Sequence, residues 1–277
     1  MKIERYYSEI KKRYGIITRA RGPFLYTQKN VRLTDLNQEG GRAILGWDSP
    51  ACAVFKNLLS KGLTGSFETA HLPRLQKALA ELLNGKRKIF LFTHKRAAME
   101  AALLLDANSA SVYKPFSGVD YSAVKNVIVA PPLPWTNNFW ILATSALEAD
   151  NAGSAVNGAA GSFGQPNDSG AAAALFSEPF APALVAAAAR SVYDLIAALK
   201  VRQEKDFFIY DKILAKFFER RSCWLRPKVP QEKYDDFVLA CLDAGVAINP
   251  DYNADSIVPF GADKGVLKKM GEIDVGF

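Results

Sequence analysis

Three consecutive residues, His94, Lys95 and Arg96, form the part of the sequence best suited to bind an anion. They follow an apolar run at 88–92 that predicts a buried strand, and they precede a helical pattern that begins at Ala97. A helix N-terminus offers free backbone N–H groups and the positive end of the helix dipole, which together favour a phosphate or a carboxylate. The turn is therefore a candidate anion site. The alternative is an ordinary basic turn exposed to solvent.

A long interval of the chain lacks cationic side chains. Between Lys125 and Arg190 there is no lysine or arginine, although the 35 Lys and Arg residues average about one in eight over the 277 residues. At that frequency about eight would be expected in the interval. The gap limits the chemistry that this part of the chain can perform.

Other common catalytic arrangements are missing from the sequence. It contains no Gly-x-Ser-x-Gly elbow, no P-loop and no GxGxxG fingerprint, and neither His71 nor His94 lies in a Ser/His/Asp or Cys/His pattern. Cys52, Cys223 and Cys241 are scattered without CxxC spacing. We therefore expect neither a disulfide scaffold nor a metal site, and a reducing cytoplasm fits this cysteine usage.

Composition and charge indicate a soluble globular protein. The chain has a mass of 30.3 kDa, 49% hydrophobic and 23% charged residues and a mean hydropathy of -0.03, which excludes a disordered polyelectrolyte. A net charge of +7 favours contact with phosphates or anionic surfaces without requiring it. Basic runs at 11–13 and 86–88 lie in no recognised nucleic-acid-binding motif, and no stretch reaches the roughly 18 apolar residues of a membrane span. We expect a cytoplasmic protein that binds neither nucleic acid nor membrane.

Strands and helices that alternate along the chain would position these residues. The pattern predicts helices at 4–14, 71–83, 97–106, 181–200, 206–221 and 231–243. It predicts strands at 24–26, 31–33, 88–92, 126–130, 139–143, 224–225, 246–248 and 257–258. Apolar strands followed by helices are typical of an α/β protein with a parallel sheet. Residues 144–178, rich in Ala, Gly, Ser and Asn, predict a long irregular loop.

Short blocks follow one another in a definite order, at residues 21–26, 33–36, 40–41, 45–47, 92–102, 116–118, 127–131, 176–179 and 244–261. They read RGPFLY, LTDL, GG, LGW, FTHKRAAMEAA, FSG, VIVAP and FSEP, and the last block begins with AGV and ends with PFG. In this order they resemble class III aminotransferases, which are pyridoxal-phosphate enzymes of fold type I, and in particular the glutamate-1-semialdehyde aminomutase group. The resemblance covers nearly the whole chain.

The resemblance implies an α/β fold with a reduced fold-type-I large domain, a mainly parallel sheet, and a small C-terminal α+β domain. Together with the element pattern it predicts an N-terminal helix and hairpin segment at 1–50, a large domain at 51–200 that includes the irregular loop 144–178, and the small domain at 201–277. Relatives form dimers with the active site at the subunit interface, so the resemblance also implies a homodimer.

Active members of this family hold pyridoxal phosphate as a Schiff base on a lysine. By the resemblance, that lysine should lie between the third strand and the alanine-rich helix, inside the interval without lysine or arginine. An aspartate should pair with the pyridinium nitrogen of the cofactor, and Thr144 stands nearest to its position. A hydroxyl group cannot stabilise the pyridinium charge comparably. We therefore expect no catalytic residue and no bound pyridoxal phosphate.

The remaining residues that correspond to the family's cofactor site predict, by the resemblance, a vestigial cleft for an anion or cofactor. The Ser-Gly turn that holds the phosphate in the family corresponds to His94 and Lys95, with Arg96 beside them. The family's aromatic-His-Gly motif corresponds to Phe116 and Ser117, followed by a glycine. Phe116 would stack on the cofactor ring; the alternative is that it is a core residue.

These observations favour a non-catalytic or repurposed relative of the aminotransferases that binds a small anionic ligand or a protein partner. Two alternatives stay open. One is an active pyridoxal-phosphate enzyme that recruits a lysine from elsewhere, such as Lys95, Lys114 or Lys125. The other is an unrelated α/β interaction protein.

Overall fold

The computed structural model describes residues 1–106, 110–136, 138–145 and 176–274. Residue contacts divide the chain into unit 1 (Met1–Ser49, Pro134–Thr136 and Ala198–Phe277) and unit 2 (Pro50–Leu133 and Asn137–Ala197). Most of the predicted irregular loop 144–178 lies outside the described residues. The domain boundaries near residues 50 and 200 stay predictions.

The described helices are α1 (Ile3–Tyr14), α2 (Ala51–Ser60), α3 (His71–Leu82), α4 (Lys95–Leu105), α5 (Pro182–Val201), α6 (Glu204–Phe208), α7 (Asp211–Leu214), α8 (Tyr234–Asp243) and α9 (Lys268–Gly271). The described strands are β1 (Ile17–Arg21), β2 (Phe24–Thr27), β3 (Arg32–Asp35), β4 (Lys88–Phe92), β5 (Ala110–Val112), β6 (Asn126–Val129), β7 (Trp140–Thr144), β8 (Phe218–Arg221), β9 (Trp224–Pro227), β10 (Val246–Ala247) and β11 (Ser256–Ile257). Within these parts of the chain, no helix is long and apolar enough to cross a membrane.

Unit 2 contains a four-stranded sheet with the strand order β4-β7-β6-β5. Helix α4 packs on it through alanines three and four residues apart, which lie on one face of the helix and allow close approach. The resulting core cluster consists of Phe90, Phe92, Ala98, Ala101, Ala102, Ile128 and Leu142. The strands predicted at 88–92, 126–130 and 139–143 are confirmed to within one residue.

The sheet of unit 2 is mixed: three of its four described strands, β4, β5 and β6, run in one direction, and β7 runs against them. Among the described strands of this sheet, β5 and β6 are parallel neighbours, while β7 lies between β4 and β6 and runs antiparallel to both. The antiparallel direction of β7 follows from the short connection between β6 and β7, residues 130–139. A parallel return would need a crossover of about a dozen residues or more, usually with a helix, and this connection has no helix.

Arg87, immediately before β4, is a buried structural residue inside the basic run 86–88. Its side chain is 3% exposed, and its guanidinium donates to the backbone carbonyls of Tyr121 and Lys125 at 2.9 Å and of Ser122 at 3.1 Å. The carbonyl of Val124 accepts a further bond. Arg87 thus holds the segment that leads into β6.

The main sheet of unit 1 joins the N-terminal hairpin to a strand from the far end of the sequence. β1, β2 and β3 are antiparallel neighbours, and Leu25 opposite Leu33 confirms the predicted hairpin. β10 extends this sheet by pairing in parallel with β3. Helix α1 buries Tyr6 and Ile10, which confirms the predicted N-terminal helix, and the Tyr14 hydroxyl donates to the Leu242 carbonyl in α8.

A second sheet of unit 1 has the order β11-β9-β8. The helix predicted over 206–221 is wrong beyond Leu214, where α7 ends, because the chain then enters β8 at Phe218. Ser222 has a left-handed backbone (φ 55°) in the tight turn between β8 and β9, which lets the two strands pair as a hairpin. Phe218 packs against Phe237 of α8, with ring centroids 5.8 Å apart.

Candidate functional site

The carboxyl ends of three strands meet at one edge of the unit 2 sheet. β5 is parallel to β6, and β7 is antiparallel to both β6 and β4, so β4, β5 and β6 all point the same way. Ligands of α/β sheets bind at this edge. The carboxyl edge is defined here as residues 93–96 after β4, 113–117 after β5 and 130–131 after β6. It contains all five residues predicted for a vestigial cleft.

The turn after β4 carries the three predicted basic residues on its surface. His94 precedes α4 with an extended backbone, and its side chain makes no capping hydrogen bond. The Lys95 ammonium lies 5.7 Å from the ring centroid of Trp140, and Arg96 Nε donates to Glu100 Oε1 at 2.7 Å. His94, Lys95 and Arg96 are all exposed. The structure therefore brings these three together in one solvent-facing turn.

A carboxylate of the chain itself binds the donors of this turn. The Glu178 carboxylate accepts a 2.9 Å hydrogen bond from the backbone N–H of Thr93 and a second one from the Thr93 hydroxyl. Glu178 is anchored beside β4, because its backbone N–H donates to the Leu91 carbonyl at 2.8 Å and the Ser177 hydroxyl accepts from the Leu91 N–H at 3.0 Å. The sequence did not predict this pair, since 85 residues separate Thr93 from Glu178.

The formal charges around the β4–α4 turn cancel. Lys95 and Arg96 carry two positive charges, and the nearby Glu100 and Glu178 carry two negative ones. An incoming anion would be repelled by Glu178 and would compete with it for the Thr93 donors. The turn is therefore poorly suited to a phosphate, in spite of its basic sequence.

Phe116 and Ser117 lie at the other end of the carboxyl edge. They follow β5, and the strand order places β7 and β6 between β5 and β4. Three interstrand spacings of about 4.8 Å put the ends of β4 and β5 about 14 Å apart. Phe116 is half-buried with a left-handed backbone (φ 57°), and the Ser117 hydroxyl accepts a 3.4 Å bond from the Val119 N–H. The five predicted residues thus form two groups, one at each end of the edge.

The three lysines considered as Schiff-base candidates do not share one location. Lys95 and Lys114 belong to the carboxyl edge, after β4 and β5. Lys125 precedes β6 and so lies at the opposite, amino edge, where its ammonium pairs with Asp106 at 3.4 Å. Its position disfavours Lys125 as a residue of a carboxyl-edge site.

Thr144 also lies at the amino edge of β4. The register of β7 places Thr144 beside Lys88 at the start of β4, and Trp140 beside Phe92 at its end. The Thr144 hydroxyl donates to the side-chain oxygen of Asn126 at 2.6 Å inside the sheet. The interpretation of Thr144 as the residue nearest to a cofactor-binding aspartate is therefore wrong, because the antiparallel direction of β7 carries it away from the carboxyl edge.

The described residues do not fit pyridoxal phosphate, the cofactor that the resemblance implies. The turn that would hold its phosphate already binds the Glu178 carboxylate. The residue considered for the ring nitrogen lies at the wrong edge, and the sequence from 126 to 189 has no lysine. Within the described residues, no group of three or more His, Cys, Asp or Glu side chains is arranged to hold a metal ion either.

Comparison with known proteins supports the fold. No protein-family model matches the sequence. An uncharacterized protein of Treponema pallidum (strain Nichols) is 28% identical over 286 residues, with 93% of each chain covered.

Among solved structures, ornithine aminotransferase from Plasmodium yoelii matches with a TM-score of 0.63 at 12% identity, over 98% of this chain and 97% of that one. Acetylornithine aminotransferase from Elizabethkingia anophelis matches with a TM-score of 0.64 at 12% identity, over 98% and 99% of the two chains. An omega-transaminase from Sphaerobacter thermophilus matches with a TM-score of 0.63 at 10% identity, over 92% and 89%.

At 10 to 12% identity these similarities show the fold alone. They agree with the resemblance of the sequence blocks, and they do not favour the alternative of an unrelated α/β fold. The chain has the α/β fold of the pyridoxal-phosphate-dependent aminotransferases.

Proposed function

We propose that this chain is an aminotransferase-fold protein without transaminase activity, which acts by binding a protein partner. The observation that carries the proposal is the absence of lysine and arginine from residues 126–189, an interval that includes β6, β7 and the whole segment up to α5. A Schiff base needs a primary amine, and in the resembled family the amine belongs to this interval. The Glu178 carboxylate in the β4–α4 turn supports the same conclusion.

Two features favour a protein partner over a small anion. The charges around the β4–α4 turn cancel, which weakens the case for an anion there. On α4, the adjacent Leu103 and Leu104 are 45% and 77% exposed, and neighbouring exposed apolar side chains support contact with another protein. The proposed partner is a second copy of the chain, because the resemblance implies a homodimer. A small anionic ligand is the alternative.

The test is to mix the purified 277-residue chain with pyridoxal phosphate, record the absorption spectrum, and reduce the mixture with borohydride before mass spectrometry. The expected spectrum is that of the free cofactor, with no single lysine labelled in preference to the others. Light scattering on the same preparation should give a molar mass near twice 30.3 kDa. A stable Schiff-base band with one borohydride-labelled lysine would refute the loss of cofactor chemistry, and a monomeric mass would refute the dimer.

The second candidate is an active pyridoxal-phosphate enzyme with a relocated lysine. It is favoured by the position of Lys95 and Lys114 at the carboxyl edge. Lys95→Ala and Lys114→Ala should leave the absorption spectrum with the cofactor unchanged if the first proposal holds, whereas one of them should abolish a Schiff-base band if the second holds. Lys125→Ala is the matched control, because Lys125 lies at the amino edge.

A further inference from the structure

Unit 1 contains a cavity that is unrelated to the carboxyl edge of unit 2. Its volume is about 120 Å³, and its lining includes Tyr6, Tyr7, Leu25, Asp35, Asn37 and Trp47. The two tyrosines come from α1, Leu25 from β2 and Asp35 from the end of β3. Aromatic and aliphatic side chains thus surround one acidic group.

Asp35 is a buried carboxylate that has only neutral partners among the described residues. It is 2% exposed. Oδ1 accepts from the backbone N–H groups of Asn37 at 3.0 Å and Gln38 at 2.9 Å, and Oδ2 accepts from Trp47 Nε1 at 2.9 Å. A carboxylate has about four acceptor positions, so these three bonds leave capacity at Oδ2. Fully buried carboxylates usually pair with a cation. No cationic side chain among the described residues forms an ion pair with Asp35.

Tyr6 lines the same cavity as Asp35, and its hydroxyl has no hydrogen-bond partner among the described residues. Tyr6 is 1% exposed, and its oxygen is buried. Burial first, and then the charge of Asp35, raise the pKa of the Tyr6 hydroxyl well above its ordinary range. A buried hydroxyl without a partner is rare in folded proteins, so it points to a missing donor or acceptor in the cavity.

The walls of the cavity suit a cation with a small apolar body. The rings of Tyr6 and Tyr7 meet edge to face with centroids 5.3 Å apart, and Trp47 adds a third aromatic surface. Aromatic faces attract ammonium groups, and the attraction is stronger where water is excluded. An apolar cavity of about 150 Å³ can hold the six heavy atoms of benzene, so this one has room for about five.

We propose that this cavity binds a small primary alkylammonium ion, whose N–H groups donate to Asp35 Oδ2 and to the Tyr6 hydroxyl oxygen while its alkyl chain contacts Leu25 and the aromatic rings. A primary ammonium satisfies both polar groups at once. A quaternary ammonium has no N–H to donate, and a neutral alcohol does not supply the missing positive charge. The inference is independent of the proposed loss of transaminase chemistry, since it uses none of the carboxyl-edge residues.

The test is a titration of the 277-residue chain with n-butylammonium chloride near pH 8, followed by thermal unfolding and calorimetry. A ligand that binds only the folded state stabilises it by RT ln(1 + [L]/Kd), so the melting temperature rises steadily with ligand concentration. The melting temperature should rise with n-butylammonium and not with equal concentrations of potassium chloride or n-butanol. Tetramethylammonium should bind more weakly, because it lacks N–H donors.

Two variants locate the effect. Tyr6→Phe keeps the ring and removes only the unpartnered hydroxyl, so it should fold normally and weaken n-butylammonium binding by about fivefold or more, the worth of one hydrogen bond. Tyr14→Phe is the matched control on α1, because the Tyr14 hydroxyl bonds to the Leu242 carbonyl and Tyr14 is not part of the cavity lining. This control should leave the amine affinity unchanged.

Each outcome decides the question. A wild-type response to n-butylammonium that Tyr6→Phe weakens and Tyr14→Phe does not would support the proposal. Equal shifts with potassium chloride or n-butanol would overturn it, as would unchanged affinity in Tyr6→Phe. A wild-type protein that shows no response at all to n-butylammonium would also overturn it.

Discussion

Asp35 is the residue whose ionisation should most affect the stability of unit 1. Burial raises the pKa of its carboxyl group from 3.8 to about 6, although hydrogen bonds from the Gln38 backbone, the Trp47 ring and the Asn37 backbone act the other way. The charge of Glu39 raises it further, and the hydroxyls of Tyr6 and Tyr7 also interact with it. Since the folded state binds the proton more tightly than the unfolded state, this group makes the protein less stable as the pH rises from about 4 to about 6.

Asp35→Asn should remove this dependence on pH. The stability of the wild type relative to the variant is expected to fall by about 2 kcal/mol between pH 4 and pH 7, with a constant offset from the altered hydrogen bond to Trp47. Urea unfolding of both proteins at unit pH intervals measures the difference. Parallel pH profiles would show that Asp35 does not titrate in this window.

Glu178 is expected to keep anions out of the β4–α4 turn, because its carboxylate already accepts from the backbone N–H and the hydroxyl of Thr93. Glu178→Gln removes the negative charge and keeps a group that can accept from Thr93. We expect inorganic phosphate to raise the melting temperature of this variant more than that of the wild type, because the helix N-terminus then lacks its own anion. Glu100→Gln is the control, since it removes an equal charge from α4, at the bond of Glu100 with Arg96. Equal phosphate responses in Glu178→Gln, Glu100→Gln and wild type would contradict this role.

At the scale of the elements, Arg87 is expected to be the main support for the entry to β6. Arg87→Met keeps most of the apolar volume but leaves four backbone carbonyls of residues 121–125 without their charged donor. The expected loss in free energy of unfolding is about 3 kcal/mol or more, because four hydrogen bonds from a buried charged donor are lost, although the Tyr121 and Lys125 carbonyls keep bonds from the backbone N–H groups of Val124 and Ser145. The control Lys86→Met changes an exposed neighbour and should cost under about 0.5 kcal/mol. Chemical denaturation of the two variants decides between a structural and a surface role.

The sequence predicted the existence of most elements but not their directions. Apolar residues at 88–92 and 126–129 identify β4 and β6, because buried strands read as continuous apolar runs. The same run in β7 gives no information on direction, and β7 proved antiparallel. In the same way, apolar residues at helical spacing through Leu214 concealed the change to β8, which the turn at Ser222 makes possible.

At the scale of the whole molecule, the order of short blocks along the chain predicted the fold, whereas the candidate sites depended on distant contacts. Local patterns placed His94, Lys95 and Arg96 in a turn before a helix, as observed. They could not reveal that Glu178 binds the same turn. The sequence did not predict the cavity of unit 1 either, because its lining combines Tyr6 from α1 with Asp35 from β3. The pattern at 4–14 predicted only a helix.

The pairing of β10 with β3 also determines when unit 1 can be completed during synthesis. Ala247 pairs with Asp35, so more than two hundred residues must leave the ribosome after β3 before its sheet gains the fourth strand. At about 5–20 residues per second, that delay is about 10–40 s. During this time the backbone groups along one side of β3 face solvent or a chaperone, and such open strand edges are where chains associate wrongly. The N-terminal hairpin of a nascent chain is therefore the segment most in need of protection, until the last quarter of the sequence arrives.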